Sequence, residues 1–211
     1  MISFENLKSI PKVDLHINFL SSITTSLAFD LNDDLTIADV IEMTTFKRFS
    51  EYDKCLELPV KLLNNEKNIK LALSDLINRL RKNNVIYGEL VLDLPLYNKN
   101  ISLDYLIDLL LKVIKEENFN LQLLLCVSDK LSKEENMDIL NLLDKYYNNG
   151  VKGVYFKKDK ITNLFDYIYI FDKLSRNNIP YIVPFDSKIT NQSREIYAKA
   201  YRIEYLFSEI D

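Results

Sequence analysis

Apolar residues recur along this chain at two periods, and the two periods take turns. Directly after Pro11, Val13, Leu15 and Ile17 alternate with Asp14, His16 and Asn18, the pattern of a strand with one face toward a core. A long mixed stretch follows to about residue 65, with helical pieces near 36–43 and 49–63. Ile69, Leu73, Leu76, Ile77 and Leu80 then fall on one helical face over 66–82, and Asn83-Asn84 ends that helix. Residues 85–92 read as a strand. Ser102 reads as the N-cap of a helix carrying Leu103, Leu106, Ile107, Leu110 and Ile114, and 121–127 as a buried strand. Ser132-x-x-Glu135 is a capping box for the next helix, and Gly150 is its expected C-terminal glycine. Strand 151–156, helix 163–176, strand 180–183, helix 193–200 and a last strand 202–207 complete the pattern.

Apolar strands alternating with amphipathic helices predict an α/β fold: a parallel sheet covered by helices. No sequence repeat, linker or low-complexity tract interrupts it, so a single domain over 1–211 is expected. Two architectures fit. An open doubly wound sheet usually carries a glycine-rich turn at its ligand crevice. This chain has only 3 glycines, Gly88, Gly150 and Gly153, and they cannot form Gly-x-Gly-x-x-Gly or a P-loop. The other architecture is a TIM-type (β/α) barrel, whose sites lie at the C-terminal ends of the strands. A first strand ending Asp14-Leu15-His16 brings a carboxylate and an imidazole to one face near that end, which favours the barrel.

Composition narrows the partners. A net charge of -4 disfavours nucleic acid and anionic membrane surfaces, which reward a basic balance. No apolar run approaches the ~18–20 residues of a spanning helix. Cys55 and Cys126 are far apart, and residues 1–6 lack the charged-then-apolar order of a leader, so a reduced cytoplasmic setting is expected. His16 is the 1 histidine, which excludes any site built from several.

Ile10-Pro11-Lys12-Val13-Asp14-Leu15-His16 resembles the opening of the adenosine and AMP deaminase family of metal-dependent amidohydrolase barrels. There the stretch continues x-His-Leu-Asp-Gly-Ser; here it continues Ile17-Asn18-Phe19-Leu20-Ser21-Ser22. The likeness recurs in order. Phe46-Lys47-Arg48-Phe49 resembles a Leu-x-x-Phe, and Tyr87-Gly88-Glu89-Leu90 a second-strand Tyr-x-Glu-Leu-Arg. Gly150-Val151-Lys152-Gly153-Val154 resembles a fourth-strand Gly-Val-x-Gly-x-Asp-Leu. Ile179-Pro180-Tyr181-Ile182-Val183 is similar to the run before a fifth-strand His-Ala-Gly-Glu, and Arg202-Ile203 to the start of a sixth-strand Arg-Ile-Gly-His-Gly. The matches end there, which implies a barrel with about six of eight βα units.

The resemblance implies a metal site and also shows its losses. His16 falls on the first ligand, with Asp14 beside it as a lesser candidate. The second ligand falls on Asn18 and the third on Pro184, while the family's final aspartate ligand has no counterpart within the sequence. The proton-transferring glutamate falls on Ser187 and the sixth-strand histidine on Tyr205. The ribose-contacting carboxylate falls on Leu20, the second-strand arginine on Val91, and the purine-contacting glycine near Lys158; Asn18 and Lys158 are thus the candidate substrate-side residues. Asp14, Glu89, Asp93, Asp159 and Asp186 all lie near predicted strand ends and could rebuild a site, one better suited to magnesium, calcium or manganese than to zinc. The plainer expectation for these carboxylates is ion pairing or exposure. The plainer expectation for Lys157-Lys158-Asp159-Lys160 is a solvated loop rather than a phosphate site.

The implied function is a catalytically degenerate purine-nucleoside aminohydrolase homologue, with purine nucleoside as ligand and no cofactor unless part of the zinc site is retained. The alternatives are an active metal-dependent hydrolase with a rebuilt or partner-completed site, and a non-enzymatic interaction protein. Six strands without the remaining two leave two sheet edges, so a homodimer through the open side is expected, pairing at the last strand and covering Tyr205, Leu206 and Phe207.

Overall fold

The computed structural model describes residues 4–47, 51–94, 101–158, 163–185 and 189–204. Its six strands form one sheet in the order β1-β2-β3-β4-β5-β6, with helices between them. This is the sequential order of a TIM-type barrel, with about six of its eight βα units. The chain divides into two compact units, Met1–Leu90 with Pro95–Leu121, and Val91–Leu94 with Gln122–Asp211.

In the first unit, α1 (Phe4–Ser9) leads into β1 (Lys12–Asn18). A 3₁₀ turn (Leu20–Ser22) and the helices α2 (Thr25–Leu31), α3 (Ile37–Thr44), α4 (Tyr52–Cys55) and α5 (Glu57–Leu62) follow. Thr24 and Thr36 cap α2 and α3, and Asp39 completes a capping box with Thr36. Those hydrogen bonds from Thr36 hold the Asp39 carboxyl below its ordinary range. Helix α6 (Glu66–Lys82) has the predicted bounds; Asn65 caps it through Asn68 N at 2.9 Å, and Ile69, Leu73, Leu76, Ile77 and Leu80 are buried. It packs on α7 (Leu103–Glu116), which Ser102 caps as predicted. Arg81 and Glu117 pair at 2.9 Å, tying the ends of the two helices.

The second unit alternates strand and helix. The end of β2 (Val85–Leu92) is followed by β3 (Leu121–Ser128), α8 (Lys133–Tyr146), β4 (Val151–Lys157), α9 (Ile168–Arg176), β5 (Tyr181–Pro184), α10 (Arg194–Lys199) and β6 (Arg202–Glu204). The pairs β3–β4, β4–β5 and β5–β6 are parallel. Val91, Leu124, Cys126, Tyr155 and Ile182, one or two from each of four strands, make a shared core cluster. Both members of the predicted Ser132/Glu135 capping box are formed. No described helix is long and apolar enough to cross a membrane.

Asparagine replaces glycine at the helix ends. The four non-glycine residues with left-handed φ among the described ones are Asn84, Asn118, Asn148 and Asn178, one after each of α6, α7, α8 and α9. Asparagine tolerates this region better than other side chains. After α7, Asn118 N donates to Lys115 O and Phe119 N to Ile114 O; after α9, Asn178 N donates to Ser175 O and Ile179 N to Leu174 O. Both are Schellman closures, and each turns the chain toward the next strand.

Three expectations need correction. Val13 and Leu15 do not face a core: they are 58% and 37% exposed, and only Ile17 of that face is buried. Among the described residues β1 is an edge strand, with a neighbouring strand on one of its sides and none on the other to extend the core. Gly150 does not end α8; Tyr147 is the C-cap and Asn148 takes the left-handed position, with Gly150 (φ 95) two residues on. The helix predicted from residue 163 opens as a 3₁₀ turn (Leu164–Tyr167), because Asn163 accepts from Phe165 N, only two residues on, and tightens the first turn. The residues named for pairing at the last strand, Tyr205, Leu206 and Phe207, lie outside the described residues.

Candidate functional site

In a barrel of this class the reacting groups lie at the C-terminal ends of the strands. On β1, Asp14, His16 and Asn18 share one face by the two-residue period. Asp14 and His16 are exposed, and Asp14 Oδ1 accepts from His16 N at 3.4 Å, a long contact. Asn18 is occupied otherwise. Its Oδ1 accepts from Ser21 N at 3.0 Å and its carbonyl accepts from Ser21 Oγ at 3.2 Å, which closes the 3₁₀ turn after the strand. On β2, Glu89 is buried, and Tyr87 OH donates to its Oε1 at 2.9 Å.

The second unit holds a different set of polar groups at its strand ends. Asp93 directly follows β2 and Lys157 ends β4; Nζ and Oδ2 are 3.1 Å apart, with side chains only 22% (Lys157) and 10% (Asp93) exposed. Lys157 is therefore strand rather than solvated loop. It lies two residues beyond the core residue Tyr155 and so on the same face of β4. After β3, Asn136 of α8 clamps the chain: its Oδ1 accepts from Ser128 N and its Nδ2 donates to Ser128 O, both at 3.0 Å. Tyr167 OH donates to Asp129 O at 3.1 Å. Burial raises the hydroxyls of Tyr167 and Tyr169 above their ordinary range, and the Tyr169 hydroxyl accepts from Asn136 Nδ2 at 3.5 Å. Sequence reasoning passed over Asn136, which is fully buried. The signal was present: it falls on the apolar face of α8 with Ile139, Leu140 and Leu143.

Of the other candidates, Lys158 follows β4 and is half-buried. Ser187, Tyr205, Asp159 and Asp186 lie outside the described residues. Asp14, His16 and Asn18 belong to the first unit, and Asp93, Lys157 and Lys158 to the second.

Zinc is the metal the resemblance implies, and a catalytic zinc takes three protein ligands or more. The donors at the implied positions do not fit it. His16 offers an imidazole, the Asn18 amide oxygen serves the Ser21 turn, and Pro184 has no side-chain donor while its carbonyl accepts from Tyr197 OH at 3.3 Å. Among the described residues no group of three or more His, Cys, Asp or Glu is placed to hold a metal ion.

No protein-family model matches the sequence, and no curated protein matches it. Solved structures do share its fold. Arabidopsis ADAL complexed with IMP superposes with a TM-score of 0.79 at 18% identity, over 95% of this chain and 66% of that one. Adenine deaminase from Arthrobacter aurescens gives 0.76 at 14% identity, over 92% and 64%. An amidohydrolase from Burkholderia ambifaria with bound Zn gives 0.69 at 11%, over 88% and 55%. The chain thus has the deaminase and amidohydrolase barrel fold. It spans just under two thirds of the length of the Arabidopsis protein.

Proposed function

We propose that the chain is a divergent adenosine/AMP deaminase homologue that does not deaminate purine nucleosides. Hydrolytic deamination at a purine carbon needs hydroxide at neutral pH, which a bound zinc generates by lowering the pKa of water. It also needs a group to protonate the ring. The observation that carries the reading is the Asn18–Ser21 turn: the position implied for the second metal ligand holds a neutral amide already engaged in local structure. Pro184 and Ser187 stand at two further positions that the chemistry requires. Groups that act as a unit leave no proportionate residue of activity when several are replaced. Ammonia release from adenosine, AMP and N6-methyl-AMP is expected to match the uncatalysed background in zinc-supplemented buffer, with less than one zinc per chain by metal analysis. Zinc-dependent turnover that His16→Ala abolishes would overturn the reading.

The same reading includes a homodimer through the open side of the sheet. The exposed Val13 and Leu15 on the edge strand β1 and the 56% exposed Ile86 on β2 support it, since apolar edge surface favours self-association. Light scattering at micromolar concentration is expected to give the mass of two chains; a persistent monomer would reject the dimer.

A further inference from the structure

Between α8 and β4, in the second unit, lies the one Asn-Gly pair of the sequence, Asn149–Gly150. Asn149 is exposed. The main chain is held on both sides of the pair: Asn149 N donates to Tyr146 O and Gly150 O accepts from Leu123 N, each at 2.9 Å. The Asn149 carboxamide and the Gly150 N–H are left over, and among the described residues neither makes a hydrogen bond. Gly150 takes φ 95 and has no Cβ to screen its nitrogen. The asparagines after α6, α7 and α9 are built differently. Asn118 and Asn178 precede Phe119 and Ile179, whose N–H groups are committed to the Schellman closures, and Asn84 precedes the β-branched Val85.

We propose that Asn149–Gly150 is a self-modifying site, at which the folded chain loses ammonia and converts to isoaspartate and aspartate. Once deprotonated, the Gly150 nitrogen attacks Asn149 Cγ. A C–N bond forms, the Cγ–Nδ2 bond breaks, and ammonia leaves as a five-membered succinimide closes. Solvent water then opens the ring. Opening at Cγ leaves aspartate in an unaltered main chain. Opening at the Asn149 carbonyl carbon routes the main chain through Cβ and Cγ, as isoaspartate, and adds one backbone atom. One water enters and one ammonia leaves in either case. The step requires a free nitrogen, an unbound carboxamide and open solvent, and the fold supplies all three here. The added atom lies between the two hydrogen bonds that hold the turn, so the isoaspartyl form loosens the Leu123–Gly150 bond that starts the β3–β4 ladder. The yield is at most one ammonia per chain, with or without a nucleoside, which separates it from enzymatic turnover.

The full chain is incubated at mildly alkaline pH and digested with trypsin, and segment 146–152 is followed by mass spectrometry. Amide loss is expected at Asn149, rising with pH, at least about tenfold faster than at Asn84, Asn118 or Asn178. It is expected to run within about tenfold of its rate in the urea-unfolded chain, because the fold offers the pair no protection. Methyl transfer from S-adenosylmethionine by a protein isoaspartate methyltransferase labels the isoaspartyl product, and Asn149→Ser is expected to abolish the label in this segment. In the isoaspartyl form, isolated by chromatography, the Leu123 amide is expected to exchange at least about fivefold faster than in Asn149→Asp, which carries the same charge on an unaltered main chain. The proposal falls if folding slows amide loss at Asn149 by more than about tenfold, if another of these asparagines loses its amide as fast, or if Leu123 exchange is the same in the two forms.

Discussion

Gly153→Ala is expected to destabilise the chain by about 3 kcal/mol, from overpacking that the backbone cannot relax, plus a weakened ladder bond. A Cβ on Gly153 would stand 2.3 Å from the carbonyl oxygen of Pro180 and 3.2 Å from its carbonyl carbon. That oxygen has little room to yield. It accepts from Val154 N at 3.1 Å, in the ladder that registers Val154 with Tyr181 and Tyr155 with Ile182. Ordinary contact would require β4 and β5 to separate by about 1 Å where they feed the shared core cluster, whose packing density leaves no slack. Gly88 is the internal control. A Cβ there meets Leu121 Cδ1 at 2.8 Å and Ile17 Cδ1 at 3.1 Å, both ends of flexible side chains. Gly88→Ala is therefore expected to cost about 1 kcal/mol. Urea denaturation of the two variants checks this: the Gly153→Ala midpoint falls clearly below that of Gly88→Ala, with the slope m unchanged. Equal midpoints would show that the β4–β5 approach is not rigid.

Much of this fold was legible because local signals and tertiary demands agreed. Helix α6 kept its predicted bounds because an asparagine cap, an apolar stripe and an Asn-Asn stop all specify the same segment. The Ser132/Glu135 box and the continuous apolar run of β3 were read for the same reason. What escaped was set by neighbours. Val13 and Leu15 alternate like core residues, but a strand's own pattern does not say that it lies at an edge. The site was legible as chemistry and not as geometry. The amide of Asn18 at a ligand position was visible; its capture of the Ser21 backbone N was not, although asparagine side chains commonly bond the backbone of a turn that follows them. Lys157 was misread because charge runs are usually solvated, whereas its parity with Tyr155 placed it on the buried face.

That lysine carries the second large effect. Asp93→Ala is expected to cost about 2–3 kcal/mol, because it removes a carboxylate 3.1 Å from an ammonium that is itself largely out of water. The 22% exposure of Lys157 keeps the loss below that of a fully buried pair. Lys157→Met is expected to cost a similar amount, since it leaves Asp93, in the more buried position, without this cation. The attraction between the two charges is offset by their desolvation, so replacing both is a different experiment from replacing one. Asp93→Leu combined with Lys157→Met is expected to recover to within about 1 kcal/mol of the parent, with a coupling energy of about 2 kcal/mol or more across the cycle. Additive losses in the double variant would mean that the two charges are held by their other neighbours and not by each other.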